Sequence, residues 1–176
     1  MSMLLRTLTM FLRAWRAPRL GPDGQSRLHF RVMPDDLDIN LHMNNGRYLS
    51  LMDVGRLDLA VRLGMMGHAW RRRWRALVGS SMIRYRRSLE PFRSFDLTTR
   101  VLTWDDRWMV FEQRFERAGQ LVAVALVRTL FRGPEGNIPT DEVLRLLGHD
   151  GPRPPFPEYV RQWAAADDGN WAAQSR

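Results

Sequence analysis

Apolar residues recur along this chain with a changing period, and the order of the changes outlines a fold. MLLRTLTMFLRAWRA sets Leu4, Leu5, Leu8, Phe11, Leu12 and Trp15 on one helical stripe, with Arg6 and Arg13 opposite and Arg16 at its border. Proline and glycine then crowd APRLGPDGQS, which reads as a linker. RLHFRVM (27–33) is short, bulky and stopped by Pro34, as a strand would be. From Asn45 the period becomes helical. Tyr48, Met52, Gly55, Leu59 and Leu63 share a face and Gly64 stands where a helix commonly ends, so one long helix is predicted over 45–63. Gly55 on that apolar face costs about 1 kcal/mol relative to alanine, which is easiest to understand if the helix backbone presses close against a sheet there.

MMGHAWRRRWR reads as a short second helix or an irregular turn. Beyond it the segments 76–89, 94–104, 107–117 and 120–132 show alternation or apolar runs, separated by EPFR, DD and AG, and predict four antiparallel strands. In the third, Met109, Phe111, Gln113 and Phe115 face one way, while Trp108, Val110, Glu112, Arg114 and Glu116 face a partly wet side. The fourth is apolar on both faces, which calls for the helix on one and a further layer, such as another subunit, on the other. IPTDEVLRLLGHD adds a short helix from Thr140 or Asp141. A strand, a long helix and a run of strands make an α+β plan, a long central helix wrapped by a curved antiparallel sheet. Residues 1–26 are expected to form the amphipathic basic helix and linker, 27–150 the domain, and 151–176, opening on GPRPPFPEYV, a peripheral arm.

Length and composition narrow this. With 176 residues, 44% of them hydrophobic, one sizeable core is expected. Arginines recur too often for the roughly 18 apolar residues of a membrane span. Arg6 and Arg13 also interrupt the first stripe, and no small-residue cleavage site follows it, so it is not read as a secretion signal. An interfacial membrane helix and a helix docked on its own domain or on a partner subunit both stay open. Cysteine is absent, which excludes disulfides, thiol nucleophiles and thiolate zinc sites and suits a cytoplasmic location, with membrane association through residues 3–16 as an addition. The net charge of +8 is carried by arginine alone, since the chain has no lysine. It favours anionic partners, but most arginines sit singly, as on a solvated surface. Arg71, Arg72, Arg73 and Arg75 with Trp70 and Trp74 are too short and isolated a cluster to argue for nucleic acid.

Candidate chemistry concentrates in DLDINLHMNN, which places Asp36, Asp38, His42, Asn44 and Asn45 just before the long helix. Both asparagines are good cap formers, and the free N–H groups of a first helical turn point toward whatever the preceding loop holds. A carboxylate there is stabilised in its charged form and a carbonyl there is polarised, and both effects serve acyl transfer. Asp38 would act as general base or as nucleophile. The plain alternative is an Asx-rich turn that only caps a helix. Metal is not expected, since His42 with Asp38 makes two ligands and His29, His68 and His149 are scattered. No cofactor is called for: there is no Gly-rich phosphate loop, and no G-x-S-x-G elbow either.

DLDINLHMNNGRYLSLMDVGR resembles the D-x-x-G-H-V-N-N-x-x-Y-L…E-x-x-R signature of hotdog-fold acyl-CoA thioesterases of the 4-hydroxybenzoyl-CoA thioesterase type. RYRRSLEPFRSFDLTTRVLTWDDRWMVFEQRF is similar to the thioesterase-superfamily-member-six-like branch, and the likeness covers about residues 27–148. The resemblance implies a hotdog fold, a homodimer or homotetramer, and metal-free hydrolysis of an acyl-CoA at a dimer interface. It matches Asp38 to the catalytic carboxylate, His42, Asn44 and Asn45 to H-x-N-N, Tyr48 to the tyrosine, and Asp53 with Arg56 to the acid and arginine of the helix. Backbone N–H groups of Asn45 and Gly46 would polarise the carbonyl, and Arg84, Arg86 or Arg87 would meet the phosphates of CoA. Leu41 departs from the pattern, standing where the family has glycine before the histidine, and leaves a second reading: a weak or inactive hotdog protein that binds acyl-CoA or serves as an assembly partner.

Overall fold

The structure, a computed structural model, describes residues 3–174. Its elements are α1 (Met3–Arg16), β1 (Ser26–Arg31), a 3-10 turn (Pro34–Asp36), α2 (Asn45–Arg62), α3 (Met65–Arg72), β2 (Arg75–Tyr85), β3 (Ser94–Trp104), β4 (Met109–Arg117), β5 (Gln120–Gly133), β6 (Gly136–Ile138), α4 (Thr140–Leu146) and α5 (Glu158–Gln174). One antiparallel sheet runs in the order β1-β3-β4-β5-β2, with β6 on β5. Register skips at Val78/Ser80, Val101/Thr103 and Phe115/Glu116 add the bulges that let such a sheet curl. The predicted plan is present, with the long helix one residue shorter than read.

α2 lies in the curl because Tyr48, Leu51, Met52 and Leu59 recur on one face and bury against Phe95, Leu97, Phe115 and Val127. The glycine reading holds at the closest point. A Cβ on Gly55 would stand 2.5 Å from Thr99 Oγ1 and 3.0 Å from Gln113 Nε2. Gln113 is fully buried there, and its amide nitrogen donates to Met52 O and Thr99 Oγ1, each at 2.9 Å. Gly55→Ala is expected to destabilise by about 1–3 kcal/mol despite alanine's better helix propensity, since neither neighbour is a flexible end free to retreat. Urea unfolding checks this, and a variant as stable as the parent would mean that the helix does not press on the sheet.

Two layers differ from expectation. α1 docks on its own domain, but by the side opposite its leucine stripe. Met10 and Ala14 pack on Leu28 and Val54, and Arg6, read as part of a basic back, is buried with Asp36. A small alanine and a flexible methionine let α1 lie close on α2, while the ion pair offsets desolvation of the guanidinium. The further layer over β5 is supplied by the chain's own last helix. Val160 of α5 packs on Val110 and Leu126 with Trp163, and the buried Arg128 reaches Asp167 and Asp168 at 2.9 and 2.8 Å. β2 is left as an edge: all eleven residues are exposed except Ser80 and Ile83, which are half-buried.

Candidate active site

The loop before α2 is held from several directions. Asp38 N–H donates to His42 O at 2.9 Å and Leu41 N–H to Asp38 O at 3.1 Å, closing a tight turn. Met43 N–H reaches Leu89 O and Asn44 N–H reaches Asp36 O, at 2.9 and 2.8 Å. Asp36 anchors the other side. Its buried carboxylate takes Arg6 Nη2 at 2.5 Å and Met33 N–H at 2.8 Å. Arg47 Nε stands 3.1 Å from its second oxygen, an ion pair not aligned as a hydrogen bond. Leu41 turns the corner at φ +58°, where a Cβ crowds the backbone and glycine is at ease. Its side chain points into solvent, 66% exposed. The departure from the family pattern is therefore met by backbone strain and not by a filled pocket.

Asn44 is the N-cap of α2. Its side chain accepts from Gly46 N–H at 2.8 Å, and its carbonyl from Arg47 N–H at 2.9 Å. This corrects the expectation for Gly46, whose amide is already satisfied by the cap. Among the described residues the Asn45 N–H has no partner, and it is the open donor of this helix start. The Asp38 carboxylate is half engaged: Oδ1 accepts from Asn40 N–H at 2.9 Å and His42 N–H at 3.3 Å, an Asx turn, and Oδ2 accepts no hydrogen bond among the described residues.

Asp38, His42, Asn45 and Tyr48 line one cleft of about 300 Å³ together with Arg86 and Arg87. Met43, Tyr85 and Ser88, missed by sequence reasoning, complete it. The Tyr85 hydroxyl approaches Asn45 O at 3.4 Å, and its ring meets the Tyr48 ring edge-on at 5.0 Å. Burial, with Tyr85 alongside, pushes the Tyr48 phenol above its ordinary range, and burial raises Tyr85 too, so both stay protonated at neutral pH. Both arginines reach the cleft because β2 ends at Tyr85 and alternation stops. The amides of Arg86 and Arg87 share Val122 O, at 2.8 and 3.1 Å. Arg84, still on β2 opposite Val124, is not among the lining residues.

Asp53 and Arg56 do not join this cleft, contrary to their expected supporting place. They pair with each other two turns further along α2, at the mouth of a second cavity of about 390 Å³ walled by Leu57, Met65, Trp74, Val78, Phe111 and Phe131. Arg56 also donates to Gln113 Oε1 at 2.6 Å. Burial lowers its pKa and Asp53 opposes the shift, a balance that leaves the guanidinium charged. Among the described residues no three His, Asp or Glu side chains gather as metal ligands.

The chain is similar to known proteins in sequence and in fold. The profile of the thioesterase-like superfamily matches residues 32–164. Protein THEM6 of Danio rerio is 37% identical over 138 residues, which span 76% of this chain and 68% of that protein. The YbaW probable thioesterase from Escherichia coli superimposes with a TM-score of 0.65 at 21% identity, covering 69% of this chain and 94% of that one. SAV2348 of Staphylococcus aureus, solved in complex with CoA, gives a TM-score of 0.63 at 14% identity over 81% of this chain and 94% of its own. These two likenesses are of fold, a curled antiparallel sheet around a long helix.

Proposed function

The chain belongs to the thioesterase-like superfamily, and on that premise we propose that it hydrolyses an acyl-CoA thioester to the free acid and CoA in the cleft at the start of α2. Thioester hydrolysis in general is what membership supports. The observation that carries the finer reading is the meeting of Asp38, the open Asn45 N–H and two arginines around one cleft. Asp38 takes a proton from water as the water oxygen bonds to the thioester carbon, and the charge growing on the carbonyl oxygen falls to the Asn45 amide. The C–S bond then breaks, and the proton held by Asp38 leaves with the thiolate. Direct attack by Asp38 is the other route open to the same carboxylate. His42 borders the cleft, Asn44 fixes the helix start, and Arg86 and Arg87 suit the phosphates of CoA.

The acyl group has a place if two copies pair. β2 is a long, unpaired edge with Leu77, Val78 and Met82 exposed, a template for a second strand. One end of β2, at Ala76 and Val78, walls the apolar cavity, and the other, at Tyr85, walls the Asp38 cleft. Antiparallel pairing of two β2 edges about their middle sets the apolar cavity of one protomer beside the carboxylate of its partner. In that homodimer Asp53 and Arg56 regain a supporting place, at the mouth of the cavity receiving the acyl tail.

Thiol release from a panel of acyl-CoAs differing in chain length and aromaticity tests the reading, with light scattering to give the mass of the active species. Turnover by a dimer or a tetramer built from it is expected. Tight binding without thiol release across the panel would reject hydrolysis and favour the binding protein, a reading that the engaged Oδ1 of Asp38 and the strained Leu41 support.

A further inference from the structure

α1 turns Leu4, Leu5, Leu8, Leu12 and Trp15 to solvent, at 80, 46, 54, 47 and 87% exposure. The helix is not free to roll them inward. Met10 and Ala14 are 3% exposed against Leu28 and Val54, and Arg6 is locked on Asp36. A helix held this firmly by its other side leaves its leucines wet in the lone chain, and a run of exposed leucines marks a contact surface. The polar residues beside the stripe show which contact fits. Arg16, at the border of the stripe, lies exposed in the last turn with Arg13 further round the helix, Arg19 follows, and α1 has no acidic residue. A second copy laid on this face would set arginine against arginine, whereas lipid phosphates complement it.

We propose that α1 seats the protein on an anionic membrane surface, with the leucines among the acyl chains, Trp15 at the headgroup boundary and the arginines on lipid phosphates. Among the described residues no helix is long and apolar enough to cross a membrane. On the opposite side of the helix Arg6 bonds Asp36, two residues before Asp38, so α1 is tied directly to the loop ahead of α2. The inference goes beyond the thioester reading and does not rest on it.

The test is flotation of the full chain with phosphatidylcholine vesicles containing about 30% phosphatidylglycerol, at moderate salt. The protein should float with them and remain largely behind with phosphatidylcholine alone. The double substitution Leu8→Glu, Leu12→Glu should cut the bound fraction at least about tenfold, and Arg16→Glu should cut it about fivefold or more. All three positions are exposed, so melting should stay unchanged and a loss of binding is not a loss of fold. Absence of flotation, or flotation that survives the leucine substitutions, would overturn the proposal. So would a fall in lipid-free mass on making them, since the leucines would then hold a second copy.

Discussion

Asp38→Asn is expected to cut thiol release from an acyl-CoA by at least about a hundredfold, some 2.7 kcal/mol of transition-state stabilisation, while leaving the fold intact. The asparagine oxygen can keep the Asx turn, accepting from Asn40 N–H and His42 N–H as Oδ1 does now. The outer atom changes character: an amide nitrogen in place of Oδ2 can neither take a proton from water nor attack carbon. The loss should fall on kcat with KM little changed, because the groups suited to CoA, Arg86 and Arg87, are untouched. Equal melting temperatures for parent and variant, measured beside the kinetics, tie the loss to chemistry. Undiminished turnover would remove Asp38 from the mechanism.

Asp36→Ala should have the largest effect on stability, about 3–5 kcal/mol in urea unfolding. Arg6 and Asp36 each expose 1% of their side chains. Without the carboxylate, Arg6 is a buried cation whose Nε and Nη1 already lack hydrogen-bond partners, and Met33 N–H loses its acceptor. Replacing both partners by apolar residues, Arg6→Met with Asp36→Leu, should recover much of the loss, because the main cost is the orphaned charge. A single-substitution cost below about 1 kcal/mol would show that the pair does not hold α1 and the loop together.

Local signals carried the central architecture. The apolar face of α2, the period-two strands and Gly55 are patterns within one element, so each was legible before any packing was known. The misreadings came from long-range partners. Arg6 looked like a solvated charge because its carboxylate lies thirty residues away. The leucines make the clearest stripe of α1, yet docking follows Met10 and Ala14, which that stripe does not distinguish. α5 was hidden by its composition, since a helix rich in Ala, with Asp and Gln and one buried valine, shows little periodicity. At the site, Asp38 and Asn45 were readable from helix-end chemistry, whereas Tyr85 and Ser88 reach the cleft from the far end of β2 and leave no mark beside the motif. Arg86 and Arg87 could not be told from Arg84 until the end of the strand was known.

The two rims of the sheet are unequal, and the inequality limits growth. β1, the rim away from β2, is six residues long and carries Arg27, His29 and Arg31, two of them bound to Asp96. Were β2 of one molecule to join β1 of the next, the same step would repeat without end and draw out a filament. A short, charge-studded rim opposes that step. Joining β2 to its own twin uses up the receptive rim on both molecules at once, so assembly by that route halts at a closed pair.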